Sequence, residues 1–95
     1  MSRYIISPEA SQDLDEISDY FLSRSIAAGE RFVNGFEQKC KNLVKFPNIG
    51  RSYADIEPLL RGVPLLGYII LYRVIEDGVE IVRVVSGYRD LESLF

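Results

Sequence analysis

Arg61, Arg73, Arg83 and Arg89 lie on or at the ends of three strand-like segments, so antiparallel pairing could gather several guanidinium groups on one side of a sheet. A guanidinium stays protonated, so it binds well and makes a poor general base. Arg73 is expected to form a surface ion pair with one of the neighbouring acids Glu76, Asp77, Glu80 and Asp90, whereas Arg61, Arg83 and Arg89 are expected to bind a target. Tyr88 joins them as the acid-base group nearest to them, although an unperturbed phenol titrates only near pH ~10. The chain has no histidine, and its single cysteine, Cys40, falls on the apolar stripe of a helix. No side chain is therefore poised near neutrality without a perturbation, and no catalytic residue is assigned.

Asp13, Glu16 and Asp19 share a helix face near its N-terminus, where carboxylates are ordinarily solvated partners of the helix dipole. No metal site and no cofactor are expected from them.

The elements that must position these groups can be read from hydrophobic spacing. Tyr4-Ile5-Ile6 is strand-like, and Ser7-Pro8-Glu9 opens a helix with Ser7 as N-cap and Pro8 in the first turn. Ala10, Leu14, Ile17 and Phe21 then recur at helical intervals. After a break at 23–25, Phe32, Phe36, Cys40 and Leu43 repeat that spacing, widened by Val33 and Val44, until Pro47 ends the run. The two helices are expected to form an antiparallel hairpin. Pro47-Asn48-Ile49-Gly50-Arg51 reads as a turn and 52–58 as aperiodic loop. The segments 60–66, 68–76 and 79–86 are expected strands, the last two joined through Asp77-Gly78, a strong hairpin signal. The fold class is α+β: an N-terminal strand and a helix hairpin packed on an antiparallel sheet that ends in a three-stranded meander. Chain direction sets the N-terminal strand antiparallel to 60–66.

Alternation in 68–76 places Ile70, Tyr72 and Val74 on one face and Ile69, Leu71 and Arg73 on the other. If the hairpin covers only the first face, Ile69 and Leu71 form an exposed apolar patch, a candidate partner interface. Alternatively Leu91, Leu94 and Phe95 cover them.

Composition narrows the class of function. At 95 residues, with 47% hydrophobic and 26% charged, the chain has the make-up of one folded domain spanning 1–95 rather than of a disordered segment. A lone cysteine excludes an internal disulfide, and no signal-peptide-like run follows Arg3, so a cytoplasmic location is expected. The richest apolar stretch, 63–72, is interrupted by Pro64 and Gly67 and is too short to span a membrane. The net charge of −3 is the wrong sign for a protein that depends on neutralising phosphates, and direct sequence-specific nucleic-acid binding is not expected. Charge is uneven, however: 38–51 carries Lys39, Lys41, Lys45 and Arg51 and no acid.

Taken in order, several pieces resemble the RelE/ParE toxin superfamily. They are Ser7-Pro8-Glu9-Ala10 with Asp13, Leu14 and Ile17; Phe46-Pro47 with Gly50-Arg51; Arg61; Gly67 through Val74; and Val82-Arg83-Val84 with Gly87-Tyr88-Arg89-Asp90. The opening Ser-Pro-Glu-Ala and the Pro-x-x-Gly-Arg turn are similar to the ParE branch. This resemblance implies a bacterial toxin of a plasmid-stabilisation type, neutralised in a hetero-oligomer by a small cognate antitoxin that folds partly on binding, with DNA gyrase as its target. The RelE branch instead cleaves messenger RNA on the ribosome. At the positions of that branch's catalytic arginine and C-terminal tyrosine this chain has Ile69 and Phe95, and where ParE-like chains often carry histidine it has Ser86. Two chemical roles in RNA cleavage are thus vacant, and the expectation is a binding toxin. The alternatives are a ribosome-dependent ribonuclease and a non-toxic decoy that retains antitoxin binding.

Overall fold

In a computed structural model of the chain, residues 3–87 and 91–95 are described. The elements run β1 (Arg3–Ile6), α1 (Pro8–Arg24), α2 (Ile26–Lys45), β2 (Arg51–Ser52), β3 (Arg61–Leu65), β4 (Tyr68–Ile75), β5 (Gly78–Ser86) and a short 3-10 turn, Leu91–Leu94. One sheet contains all five strands in the order β1-β5-β4-β3-β2.

Both helix starts follow from their caps. The Ser7 hydroxyl accepts from Ala10 N at 3.0 Å, with Pro8 in the first turn where its missing N–H costs nothing. Ser25 ends α1 and caps α2 by accepting from Ala28 N, so a single residue reverses the chain. So tight a turn presses the helices together. A Cβ on Gly29 would lie 2.4 Å from Cδ2 of Leu22, a half-exposed side chain that would have to swing aside to admit one.

The hairpin lies on one sheet face. Ala10, Ile17, Phe32, Phe36, Cys40 and Leu43 are buried against Ile70, Tyr72, Val79, Ile81 and Val84, as the helical and alternating patterns require. Val33, assigned to the same stripe by spacing, is instead half exposed. It sits at the margin of the buried arc.

The meander β3-β4-β5 is antiparallel throughout, but β1 is not antiparallel to β3. It pairs in parallel with β5, from Arg3 opposite Gly78 to Ile6 opposite Ile81. The cause is one additional reversal of the chain. Arg51–Ser52, read from sequence as the end of a turn and the start of a loop, pairs antiparallel with β3, which inverts the direction of every strand that follows. The meander then steps back across the sheet until β5 meets β1. Gly78 permits that contact, since a Cβ there would lie 1.6 Å from the Arg3 carbonyl oxygen.

The opposite sheet face is also covered. Leu60, Leu71 and Val85 form a second buried cluster, with Tyr53, Ile56, Ile69, Val82, Leu91 and Leu94 packed on it. Leu71 is fully buried, so the expected exposed patch at Ile69 and Leu71 is not a feature of this chain. The cover comes from the 53–60 segment and the 3-10 turn, while Phe95 stays half exposed.

Candidate target-binding face

Where β1 stops, the outer edge of β5 would expose unpaired backbone groups. α1 supplies the missing partners. Ser7 N donates to Ile81 O at 3.0 Å, the Ser7 hydroxyl donates to Val82 O at 2.8 Å, and the Asp13 carboxylate accepts from Val84 N at 3.0 Å. Val82 is the extra residue of a β-bulge, because Leu71 pairs with Arg83 while Tyr72 pairs with Ile81. The bulge resets the alternation: Ile81 and Val84 both face the helices, and Val82 and Val85 both face away.

The bulge also turns Arg83 toward α1. Its Nε and Nη2 meet the two Asp13 oxygens at 2.7 and 3.0 Å, a side-on bidentate pair with both side chains mostly buried. The hydrogen bond to Asp13 raises the Arg83 pKa further, more than burial lowers it. Asp13 thus leaves the acidic helix face on which sequence placed it and joins helix to sheet.

Arg61 is also engaged within the fold. Its Nη1 donates to Gly50 O at 2.8 Å and to Asn48 O at 3.2 Å. The Tyr72 hydroxyl donates to Pro47 O at 2.7 Å and accepts from Gly50 N at 2.9 Å. Together they clasp the 47–50 turn, and a Cβ on Gly50 would come within 2.5 Å of that hydroxyl. Burial raises the Tyr72 pKa, outweighing the Gly50 hydrogen bond and the charge of Arg61, so the phenol keeps the proton it donates.

The expected gathering of arginines is therefore only partial. Arg61 reaches toward the turn beside β2, and Arg83 toward α1 at the other side of the sheet. Arg73 forms the expected pair with Glu80 at 2.9 Å, with Glu57 at 3.8 Å. Tyr88 and Arg89 lie outside the described residues. Arg73 and Arg83 do meet at one cavity of about 390 Å³, whose wall also includes Glu9, Glu57, Glu80 and Phe95. Two guanidinium groups there face three carboxylates, an arrangement that does not favour a phosphate. Among the described residues no three histidine, cysteine, aspartate or glutamate side chains are grouped to hold a metal ion.

The paired strand edges, capped α1 and clasped turn are spread along the described residues, and a match to a family model covers most of the chain. The model described as the ParE toxin of the type II toxin-antitoxin system parDE matches residues 4–91. The chain belongs to the ParE toxin family. Toxin ParE1 of Mycobacterium tuberculosis is 29% identical over 93 residues, covering 96% of this chain and 95% of that protein. Toxin ParE3 of Caulobacter vibrioides is 29% identical over 94 residues, covering 98% and 94%. The fold is that of a chain in a solved structure titled "Chromosomal ParDE TA system from P. aeruginosa", with a TM-score of 0.71 and 22% identity over 90% of this chain and 96% of that one. ParE membership gives the quoted sequence pieces a physical meaning here. Ser7, Asp13 and Arg83 join α1 to the bulge, and Pro47, Gly50, Arg61 and Tyr72 form the clasp. Sequence reasoning missed Asp13 and Tyr72 in these roles. The one available signal was Ile81-Val82-Arg83-Val84-Val85, whose adjacent apolar pairs break strict alternation.

Proposed function

We propose that this ParE-family chain is a toxin that acts by binding DNA gyrase, without catalysis, and is neutralised by a cognate antitoxin. The carrying observation is the cavity at Arg73 and Arg83. Its three carboxylates offset the two cations, and Phe95 stands on its wall. Cleavage through a ribose 2′-oxygen needs a base, charge stabilisation at phosphate and an acid for the leaving oxygen. A glutamate there could take a proton, but the cations that would stabilise charge at phosphate are offset and Phe95 has no proton to give the leaving oxygen. Target-binding groups on this reading are Arg61, Arg83, Tyr88 and Arg89, with Arg61 and Arg83 acting mainly by fixing the surfaces around them. The family description names a toxin-antitoxin system, which supports the antitoxin as partner. No helix among the described residues is long and apolar enough to cross a membrane, in keeping with a toxin that works in the cytoplasm.

Induced expression in bacteria tests this reading. The expected result is growth arrest with filamentation and DNA-damage signalling, relieved by co-expressing the product of the adjacent gene. Translation arrest with cut messenger would point to the ribonuclease alternative, and normal growth to the decoy.

A further inference from the structure

Arg61 holds the 47–50 turn with a single nitrogen. Both of its hydrogen bonds, to Gly50 O and to Asn48 O, come from Nη1. The other edge of the guanidinium, formed by Nε and Nη2, has no hydrogen-bond partner or ion pair among the described residues, and neither atom is sealed from solvent. In Arg83 that same edge grips the two Asp13 oxygens, so the chain itself shows what such an edge takes: a carboxylate, side on. Arg61 lines a cavity of about 270 Å³ with Asn48, Ser52, Leu59, Leu60 and Val74. The lining contains one cation and no acid, in a chain whose net charge is −3. Glu57, in the preceding turn, pairs with Arg73 instead. The Ser52 hydroxyl accepts from Ala54 N at 3.3 Å and keeps its own hydrogen to donate.

The rim of this cavity carries a residue that the fold does not explain. Leu60 N donates to Glu57 O at 3.2 Å, closing a turn with Pro58 second and Leu59 third. Leu59 has a φ of 69°, as the third residue of a type II turn does, and that place suits glycine or asparagine. A leucine there is strained, and packing returns little, because at 76% it is the most exposed large hydrophobic residue among those described. The β3-β4 register sets Arg61 opposite Tyr72, and its continuation brings Leu59 alongside Val74, itself 42% exposed. A small molecule held in the cavity would leave both side chains largely in solvent, which favours a wider, protein surface as the occupant.

We propose that the Arg61 cavity is a docking site for a protein surface on which a carboxylate stands beside an aliphatic side chain. Nε and Nη2 of Arg61 take the carboxylate, and Leu59 and Val74 cover the aliphatic group. The proposal deepens the reading of the chain as a toxin that acts by binding, on which it rests, by stating what the target must offer. Charge complementarity selects an acid, since the open guanidinium edge is the only charge on the lining. A nucleic acid is disfavoured, because one open edge on an acidic chain neutralises few phosphates.

The test is a titration of the ¹⁵N-labelled chain with a blocked hexapeptide containing one glutamate beside a leucine, followed through the Arg61 Nε–H and Leu59 amide signals. The expected result is saturable shifts at both, with binding at least tenfold weaker when glutamine replaces the glutamate and at least fivefold weaker when alanine replaces the leucine. Arg61 also holds the turn, so the informative variant is Leu59→Asn, which suits the positive φ. It is expected to melt no lower than the wild-type chain and to bind the glutamate peptide at least fivefold more weakly. Equal binding of the glutamate and glutamine peptides would overturn the proposal, as would equal binding by Leu59→Asn. A lowered melting temperature would make Leu59 a packing residue and overturn it too, as would tighter binding of a single-stranded oligonucleotide at the same signals. A gyrase supercoiling assay separates the two readings. If the wild-type chain and Leu59→Asn inhibit equally, the toxin reading stands and this site falls; if neither inhibits while the peptides discriminate, the gyrase reading falls and the site stands.

Discussion

At the residue scale, the side chains selected for chemistry mostly do structural work. Asp13 is the clearest case, because one carboxylate satisfies both a guanidinium and a strand N–H. Asp13→Ala leaves both unpaired in a partly buried site and is expected to lower stability by about 2 to 4 kcal/mol, measured by urea denaturation. Asp13→Asn keeps an acceptor for Val84 N, and a loss of equal size would argue that the strand N–H contributes nothing. Tyr72→Phe removes the two hydrogen bonds that the phenol contributes to the 47–50 clasp and leaves those of Arg61, for an expected loss of about 1 to 2 kcal/mol. Cys40 was legible as a buried thiol from its place on the helix stripe. Burial, and secondarily Glu37, pushes its pKa from 9.0 up to about 12. The folded thiol therefore holds its proton after the unfolded one has released it. Its contribution to stability is complete below pH ~8.5 and declines as pH rises from there toward 12. Cys40→Ala is expected to flatten that alkaline decline, and an unchanged slope would assign it to other groups. Asp13 and Arg83 were not legible as a pair, since 70 residues separate them and only the fold brings them together.

Periodicity located the long elements and missed the shortest. α1, α2, β4 and β5 each run long enough for a helical or alternating pattern to emerge, and the Asp77-Gly78 signal marked the β4-β5 turn. β2 has two residues, too few for any period, and its omission inverted the expected direction of β1. The 53–60 segment has no period because Tyr53, Ile56 and Leu60 pack on the sheet without being a regular element. That cover makes Leu71 a core residue, so Leu71→Ala is expected to cost about 2 to 5 kcal/mol. A loss below about 1 kcal/mol would mean that the cover opens readily and that Leu71 is available to a partner after all. Gly78→Ala places a methyl group against the Arg3 carbonyl. Its expected effect is faster amide exchange at Ile5 and Ser7, the β1 side of the parallel ladder, with the β3-β4 ladder retained.

On the scale of the whole molecule, two apolar clusters sandwich one sheet, whose edge strands are β1 and the two-residue β2. The proposed reading, action by binding rather than by RNA chemistry, rests on the acidic charge, the missing histidine and the offset cations of the Arg73-Arg83 cavity. A vacant catalytic role typically costs about 10² to 10⁴ in rate, so on the proposed reading two vacancies are expected to leave cleavage below detection. The most direct test adds the purified chain to a gyrase supercoiling reaction and, in parallel, to translating ribosomes. The account predicts inhibited supercoiling with gyrase-linked DNA breaks and intact messenger; codon-dependent messenger cuts with unimpaired supercoiling would contradict it.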